Sequence, residues 1–249
     1  MESLADLKDM LNQNDYMIKL DLTDAYHSVP LNLQSSAKFV RFIWRDKIYE
    51  CQTLMFGLGP APRIFTKLLK VPISTLRKLL IRIVIYIDDM IIMAKSPDEA
   101  IEARDTTIYL LETLGFRINY KKSILLPSQE LQFLGVTVNS KTMTFSIPKE
   151  KLQKLKQTCR ETLNSSKLSV RDLTQVMGRL RATAIAFSPA PLQLRSIQNL
   201  VKVSLRRGNN SYQTNLKLNK ESRQELQWWL QNLNNHNGKP MSLAPPDLI

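Results

Sequence analysis

Apolar positions alternate in short runs through the first half of the chain and recur at helical spacing through the second. From Met17 to Leu22, Ile18, Leu20 and Leu22 share one face while Lys19, Asp21 and then Thr23 take the other, the period-two pattern of a strand. Val40–Trp44 and Lys47–Thr53 read as a hairpin turning near Arg45-Asp46. Ile81–Ile87 and Met90–Ala94 are β-branched and apolar, and only Asp88-Asp89 separates them, which predicts a second hairpin with the acidic pair in its turn. A helix is expected over Pro97–Leu114: Ser96 suits the N-cap, Pro97 the first helical position, Glu99 a capping box and Gly115 the position just past the end. Short strands follow near Ile124, over Gln132–Val138 and over Met143–Ile147.

After Pro148 the period changes. Lys149–Leu163 places Leu152, Leu155 and Cys159 on one helix face. A second helix starts at Ser169, with Asp172 as its box partner, and runs to about Ala186. Leu192–Arg207 ends at Gly208, and Glu221–Leu233 carries Trp228 and Trp229, which read as helix core. The Asn-rich stretch 232–237 reads as a loop. The expected class is α+β: an antiparallel sheet with packed helices over 1–148, then an all-α basic region over 149–249.

Composition narrows the function. The 249 residues are 43% hydrophobic and 23% charged, which excludes wholesale disorder. The most apolar stretch, Leu79–Met93, is interrupted by Arg82, Asp88 and Asp89, so no membrane partner is expected. The polar N-terminus resembles no signal or transit peptide. Cys51 and Cys159 form neither a disulfide framework nor a zinc spacing, and a reducing intracellular setting, cytoplasmic or nuclear, is the expectation. Charge is uneven. Residues 1–150 hold 19 basic and 17 acidic side chains (net +2) and residues 151–249 hold 16 and 5 (net +11), summing to +13. A basic half beside a near-neutral one fits a nucleic-acid grip attached to a chemical centre. Aromatics are 7% and are not interleaved with the basic residues, so tracking of a duplex backbone is expected ahead of single-strand stacking.

Asp21, on a strand, and Asp88-Asp89, at a hairpin tip, are expected to converge if their strands are neighbours. Three unpaired carboxylates that close would repel, and a divalent cation removes the conflict. Hard oxygen ligands without nearby His or Cys favour Mg²⁺ or Mn²⁺ over zinc. Two such ions would clamp the attacking and leaving oxygens of an in-line phosphoryl transfer.

Five segments in order carry a family resemblance. Tyr86-Ile87-Asp88-Asp89 resembles the Y-x-D-D signature of reverse transcriptases, and Lys19-Leu-Asp-Leu-Thr-Asp-Ala-Tyr26 the family's first catalytic motif. Met55-Phe-Gly-Leu-Gly-Pro-Ala-Pro62 with Phe65 is similar to the F-G-L-x-x-A-P-x-x-F motif of long-terminal-repeat and related retroelements. Leu114-Gly115-Phe116 with Lys121-Lys122 resembles the lysine motif, and Phe133-Leu134-Gly135 the primer-grip hairpin. Ala190–Arg195 and Leu226–Trp229 are similar to DIRS-type retrotransposons, which pair this polymerase with a tyrosine recombinase.

The resemblance implies a right-hand polymerase: partial fingers and palm over 1–148 and a thumb or connection over 149–249. It implies that Asp21 and Asp88 ligate metal with the Leu22 carbonyl, and that Asp89 completes the acidic set. Tyr26 would lie beneath the incoming sugar and exclude a 2′-hydroxyl. Phe56 and Gly57 would line the nucleotide side, Tyr86 and Ile87 the primer end, and Lys121 or Lys122 would meet the leaving pyrophosphate. Asn119 would shape the pocket. Arg179, Arg181, Arg206 and Arg207 are candidates for duplex phosphates. The implied partners are a primed RNA or DNA template, dNTPs and other parts of a retroelement polyprotein. Most of the family's upstream fingers would precede Met1. The end at Pro-Pro-Asp-Leu-Ile249 falls about where a ribonuclease H domain starts, so no such activity is expected. The rival readings are a relic that only binds nucleic acid and a structural subunit completed by a partner.

Overall fold

A computed structural model describes residues 1–32 and 34–241. The sequence end at 245–249, on which the ribonuclease H expectation rested, lies outside the described residues. The chain forms two compact units, Met1–Leu134 and Gly135–Ile249.

The first unit runs α1 (Leu4–Met10), β1 (Tyr16–Thr23), a 3-10 turn (Tyr26–Ser28), a second 3-10 turn (Ala37–Phe39), β2 (Arg41–Trp44) and β3 (Lys47–Glu50). It continues with α2 (Ala61–Lys78), β4 (Arg82–Tyr86), β5 (Asp89–Ala94), α3 (Pro97–Thr113), β6 (Arg117–Ile118), β7 (Ile124–Ser128) and β8 (Glu130–Phe133). The main sheet has the order β4-β5-β1-β6, with β7 also on β1, and its pairings are antiparallel. Ile18, Leu20, Ile83, Met90 and Ile92 from the sheet pack with Phe65, Leu69 and Leu76 of α2 and Leu111 of α3 in one core. Met17, Val84 and Ile91 are also fully buried, so β1, β4 and β5 are covered on both faces.

Local chemistry explains the element ends. Ser96 accepts a hydrogen bond from Glu99 N–H at 3.2 Å, as an N-cap should, while the Glu99 carboxylate takes the Lys95 N–H at 3.1 Å, one residue before the expected box partner. Gly115 closes α3 at φ 88°, where a side chain is strained. The β2–β3 turn is Arg45-Asp46, with φ of 48° and 57°, the two left-handed residues a two-residue hairpin needs.

In the second unit β9 (Val136–Asn139), β10 (Thr144–Ser146) and β13 (Lys239–Pro240) pair antiparallel. Between them come α4 (Lys149–Asn164), β11 (Leu168–Ser169), α5 (Val170–Arg181), α6 (Arg195–Arg207), β12 (Asn215–Leu216) and α7 (Lys220–Asn232). Helices dominate from Lys149 onward, but the expectation of an all-α region is corrected, because β11 pairs with β12 and β13 with β10. The division between compact units falls earlier, because pairing of Thr144 and Phe145 with Pro240 and Lys239 ties β10 to the C-terminal segment. The strand expected over Gln132–Val138 is broken at Leu134-Gly135, which take φ of 47° and 79°. The Ser169–Asp172 capping box forms, but α5 stops at Arg181 rather than near Ala186, and turns carry the chain onward. Trp229 is fully buried and its indole N–H donates to the Gln193 carbonyl at 2.7 Å, so it serves the core. Cys159 is buried, and burial pushes its thiol up to about 12, leaving it inert. No helix among the described residues is long and apolar enough to cross a membrane.

Asp15, 2% exposed, anchors the start of β1: Arg82 Nη2 donates to its Oδ1 at 2.8 Å and Arg82 Nη1 reaches the other oxygen. Arg82→Ala removes the cation from a buried carboxylate and is expected to cost about 3 kcal/mol. Urea denaturation checks this; a loss below about 0.5 kcal/mol would mean that solvent screens the pair as it does at a surface.

Candidate active site

Antiparallel register gathers the acidic residues. Asp21 on β1 stands directly opposite Asp89 on β5, so both side chains leave the same face of the sheet. Asp88 lies in the adjoining turn, and its carbonyl accepts from Leu22 N–H at 3.0 Å, which fastens the turn to β1. The turn itself differs from the expected one. Tyr86 pairs with Asp89, so Ile87 and Asp88 form the two-residue loop and Asp89 already belongs to the strand. Ile87 takes φ 55°, a conformation rare for a β-branched residue and commonly found at functional turns.

Lys19 is on the same face, two residues before Asp21 and diagonal to Asp89, and its Nζ lies 2.7 Å from Asp89 Oδ1. The expected closure of three carboxylates on one point is therefore corrected. Among the described residues no three His, Cys, Asp or Glu side chains form a ready-made metal cage. Lys19 forms an ion pair with Asp89, yet Oδ1 of Asp89 and Oδ1 of Asp21, the latter residue 6% exposed, both lack a hydrogen-bond partner. Burial pushes the Asp21 carboxyl above its ordinary range; Lys122 pulls it back, Asp89 and Asp88 add to the rise, and Lys19 lowers it. An orphaned carboxylate oxygen beside two more acidic residues fits a hard divalent cation, which is often held by one or two carboxylates together with substrate phosphates.

A loop between β6 and β7 clamps the Asp21 backbone. Asn119 N–H donates to the Asp21 carbonyl at 2.7 Å, Asp21 N–H donates to Ser123 Oγ at 3.0 Å, and Ser123 Oγ donates to the Asn119 carbonyl at 2.8 Å. Sequence reasoning reached Asn119 but missed Ser123, whose partner lies 102 residues away with no local signal to mark it. The same loop carries Lys121 and Lys122, both exposed; Lys122 is the cation that acts most on Asp21.

Beside the carboxylates lies an aromatic floor. Tyr26 is buried, with its ring 4.8 Å from Phe56 and 5.4 Å from Phe65. Burial, Asp88 and Tyr86 all raise its phenol, which sets the hydroxyl among those groups. Phe56 is 63% exposed, and Gly57 follows at φ 90°. No protein atom would meet a Cβ at Gly57, so backbone conformation alone demands glycine there. Of the expected primer-grip residues, Phe133 is fully buried, while Leu134 and Gly135 form the turn already described. In the second unit Lys151, Lys154, Thr158 and Arg179 line a groove along α4 and α5. Arg181, Arg206 and Arg207 are exposed elsewhere.

Burial disfavours the charged form of the Asp21 carboxyl, so Asp21 opposes folding wherever it is ionised. Its folded-state value stands above the unfolded 3.8, and the penalty shrinks as pH falls from the raised value toward 3.8. Without divalent cation, Asp21→Asn is expected to melt above the native chain at pH 7, with the gap closing near pH 4. Equal melting at both pH values in differential scanning fluorimetry would contradict this.

The chain is similar to viral polymerases over much of its length. Protein P of duck hepatitis B virus (strain China) is 27% identical over 144 residues, which is 57% of this chain and 18% of that protein. The Pro-Pol polyprotein of simian foamy virus type 1 is 28% identical over 123 residues, 49% of this chain and 10% of that polyprotein. The genome polyprotein of Petunia vein clearing virus (isolate Shepherd) is 26% identical over 118 residues, 47% of this chain and 5% of that polyprotein. The chain thus spans less than a fifth of the length of these relatives. Among solved structures, the foamy viral protease-reverse transcriptase in complex with RNA/DNA hybrid superposes with a TM-score of 0.77 at 20% identity, over 95% of this chain and 29% of that one. This likeness establishes the polymerase fold. Residues 1–138 match the reverse transcriptase (RNA-dependent DNA polymerase) family, and the chain belongs to that family.

Proposed function

We propose that this chain carries the catalytic core of a retroelement reverse transcriptase, joining dNTPs to a primer 3′-hydroxyl on an RNA template. The observation that carries this reading is the pairing of Asp21 with Asp89, with Asp88 in the adjoining turn, beside the Tyr26–Phe56 floor. Bound Mg²⁺, or Mn²⁺ in its place, would neutralise charge on the transferring phosphoryl group and on the departing pyrophosphate. Asp21 and Asp88, with the Leu22 carbonyl, are the groups that would hold the metal.

The remaining work belongs to positioning and charge. Ser123 and Asn119 fix the Asp21 backbone. Tyr26 supports the incoming sugar from below and leaves no room for a 2′-hydroxyl, with Phe56 and Gly57 beside the nucleotide. Tyr86 and Ile87 support the primer end, and Phe133, Leu134 and Gly135 its backbone. Lys122, with Lys121 next to it, offsets charge on the leaving pyrophosphate. The basic helices of the second unit, with Lys151, Lys154 and Arg179 along one groove, suit duplex phosphates. The Ala190–Arg195 and Leu226–Trp229 segments support a retrotransposon source of the DIRS type. One observation favours a second reading, a chain that binds nucleic acid without synthesis: Lys19 already supplies a counter-charge to Asp89.

Primer extension on an RNA template with dNTPs and Mg²⁺ tests the proposal. Extension is expected from the native chain and is expected to fall by at least a hundredfold in Asp88→Asn/Asp89→Asn, on the order of the loss of a central electrostatic group. Failure to extend with intact duplex binding would select the second reading.

A further inference from the structure

The β2–β3 hairpin stands out from the first unit as a solvent-exposed arm. All eight of its strand residues are exposed, and among the described residues its strands pair only with each other. An isolated two-stranded ribbon gains little stability in water, and large apolar side chains left in solvent commonly mark a binding surface. The root is firmly tied. Leu31 N–H donates to the Gln52 carbonyl at 2.8 Å and Leu54 N–H to the Val29 carbonyl at 2.8 Å, just after the turn that holds Tyr26 and just before Phe56.

Register sorts the arm's side chains. The directly opposed pairs Phe42–Tyr49 and Trp44–Lys47 share one face, while Arg41–Glu50 and Ile43–Ile48 share the other. On the first face Phe42 and Tyr49 stack at 5.5 Å with 18° between planes, and Trp44 is 60% exposed. The left-handed turn brings the Arg45 guanidinium to 5.8 Å from the Trp44 ring centre. At the base, Lys38 lies 5.2 Å from the ring of Phe39, which is 79% exposed. Glu50 is held by Arg41 at 2.7 Å on the opposite face. Rings and cations already alternate through residues 41–49 of the sequence, and strand pairing gathers Phe42, Trp44, Lys47 and Tyr49 on one face, which corrects the expectation that aromatic and basic residues are not interleaved.

We infer that this face is a stacking platform for single-stranded nucleic acid. Unpaired bases offer π-faces to Phe42, Trp44 and Tyr49, and their phosphates offer charge to Arg45 and Lys47. A duplex keeps its bases stacked on one another and offers such faces only at its two ends. A second copy of the chain is a poor occupant, because each copy carries +13 and docking would bring these cations together. The inference deepens the proposed function by naming the unpaired nucleic acid as the arm's ligand.

The test is anisotropy of a labelled oligothymidylate, and of a labelled blunt duplex, titrated with the full chain. Phe42→Ala and Trp44→Ala are each expected to weaken oligothymidylate binding by roughly 5- to 100-fold and leave duplex binding within about twofold. Trp44→Tyr should restore most of the loss, and Ile43→Ser/Ile48→Ser on the other face should change little. The inference is overturned if the native chain does not bind oligothymidylate, or if the alanine variants bind it as well as the native chain. It is also overturned if they weaken duplex equally, or if they only turn a sedimenting dimer into a monomer. Primer extension run on the same preparations separates the two ideas. Synthesis without ring-dependent binding removes the platform alone, whereas ring-dependent binding without synthesis removes the polymerase reading alone.

Discussion

The register of β1 against β5 is the constraint on which the site depends. Six consecutive partners, from Tyr16 with Ala94 to Asp21 with Asp89, set the acidic pair at one end of a ladder whose other members are mostly buried. A slip of one residue would turn Asp21 to the opposite face and drive Ile18 and Leu20 out of their core positions. The apolar side chains that specify the fold therefore also specify where the carboxylates meet. The Asn119–Ser123 loop and the Leu22–Asp88 hydrogen bond hold the last pair in place where the ladder ends.

This placement stores tension. Asp21 is buried, charged near other carboxylates and short of a partner, and Ile87 takes a backbone conformation that its side chain disfavours. Both departures from local preference lie within one turn of the sheet, and the unit holds others away from it, such as Leu80 at φ 64° and Pro72 inside α2. A buried carboxylate short of a partner, beside a strained turn, is expected where a site trades stability for chemistry. Lys19 moderates the strain by holding Asp89, and a divalent cation would moderate it at Asp21.

Much of this was legible in the chain. Alternation marked β1, the turn residues marked both hairpins, Ser96 and Ser169 marked helix starts, and Asp21 stood out as the acid on a strand whose other face is apolar. What was hidden was non-local or locally unfavourable. Nothing near Ile87 signals a left-handed residue, so the turn was expected one residue too late. The bond from Asp21 to Ser123 and the diagonal reach of Lys19 to Asp89 exist only once strands are paired. In the arm, rings and cations neighbour one another in residues 38–49 of the sequence, and only their arrangement on one face is a product of cross-strand pairing. The end of α5 at Arg181 was missed because Thr183 and Ala186, both buried in turns, continue an apolar pattern past the helix.

The most direct test of this arrangement is binding of Mn²⁺ alone, followed by electron paramagnetic resonance, to the native chain and to Asp21→Asn. The native chain should hold Mn²⁺ that Mg²⁺ displaces, and Asp21→Asn, with its fold intact by circular dichroism, should lose it. Equal Mn²⁺ binding by the two proteins would contradict a cation site built on the Asp21–Asp89 register.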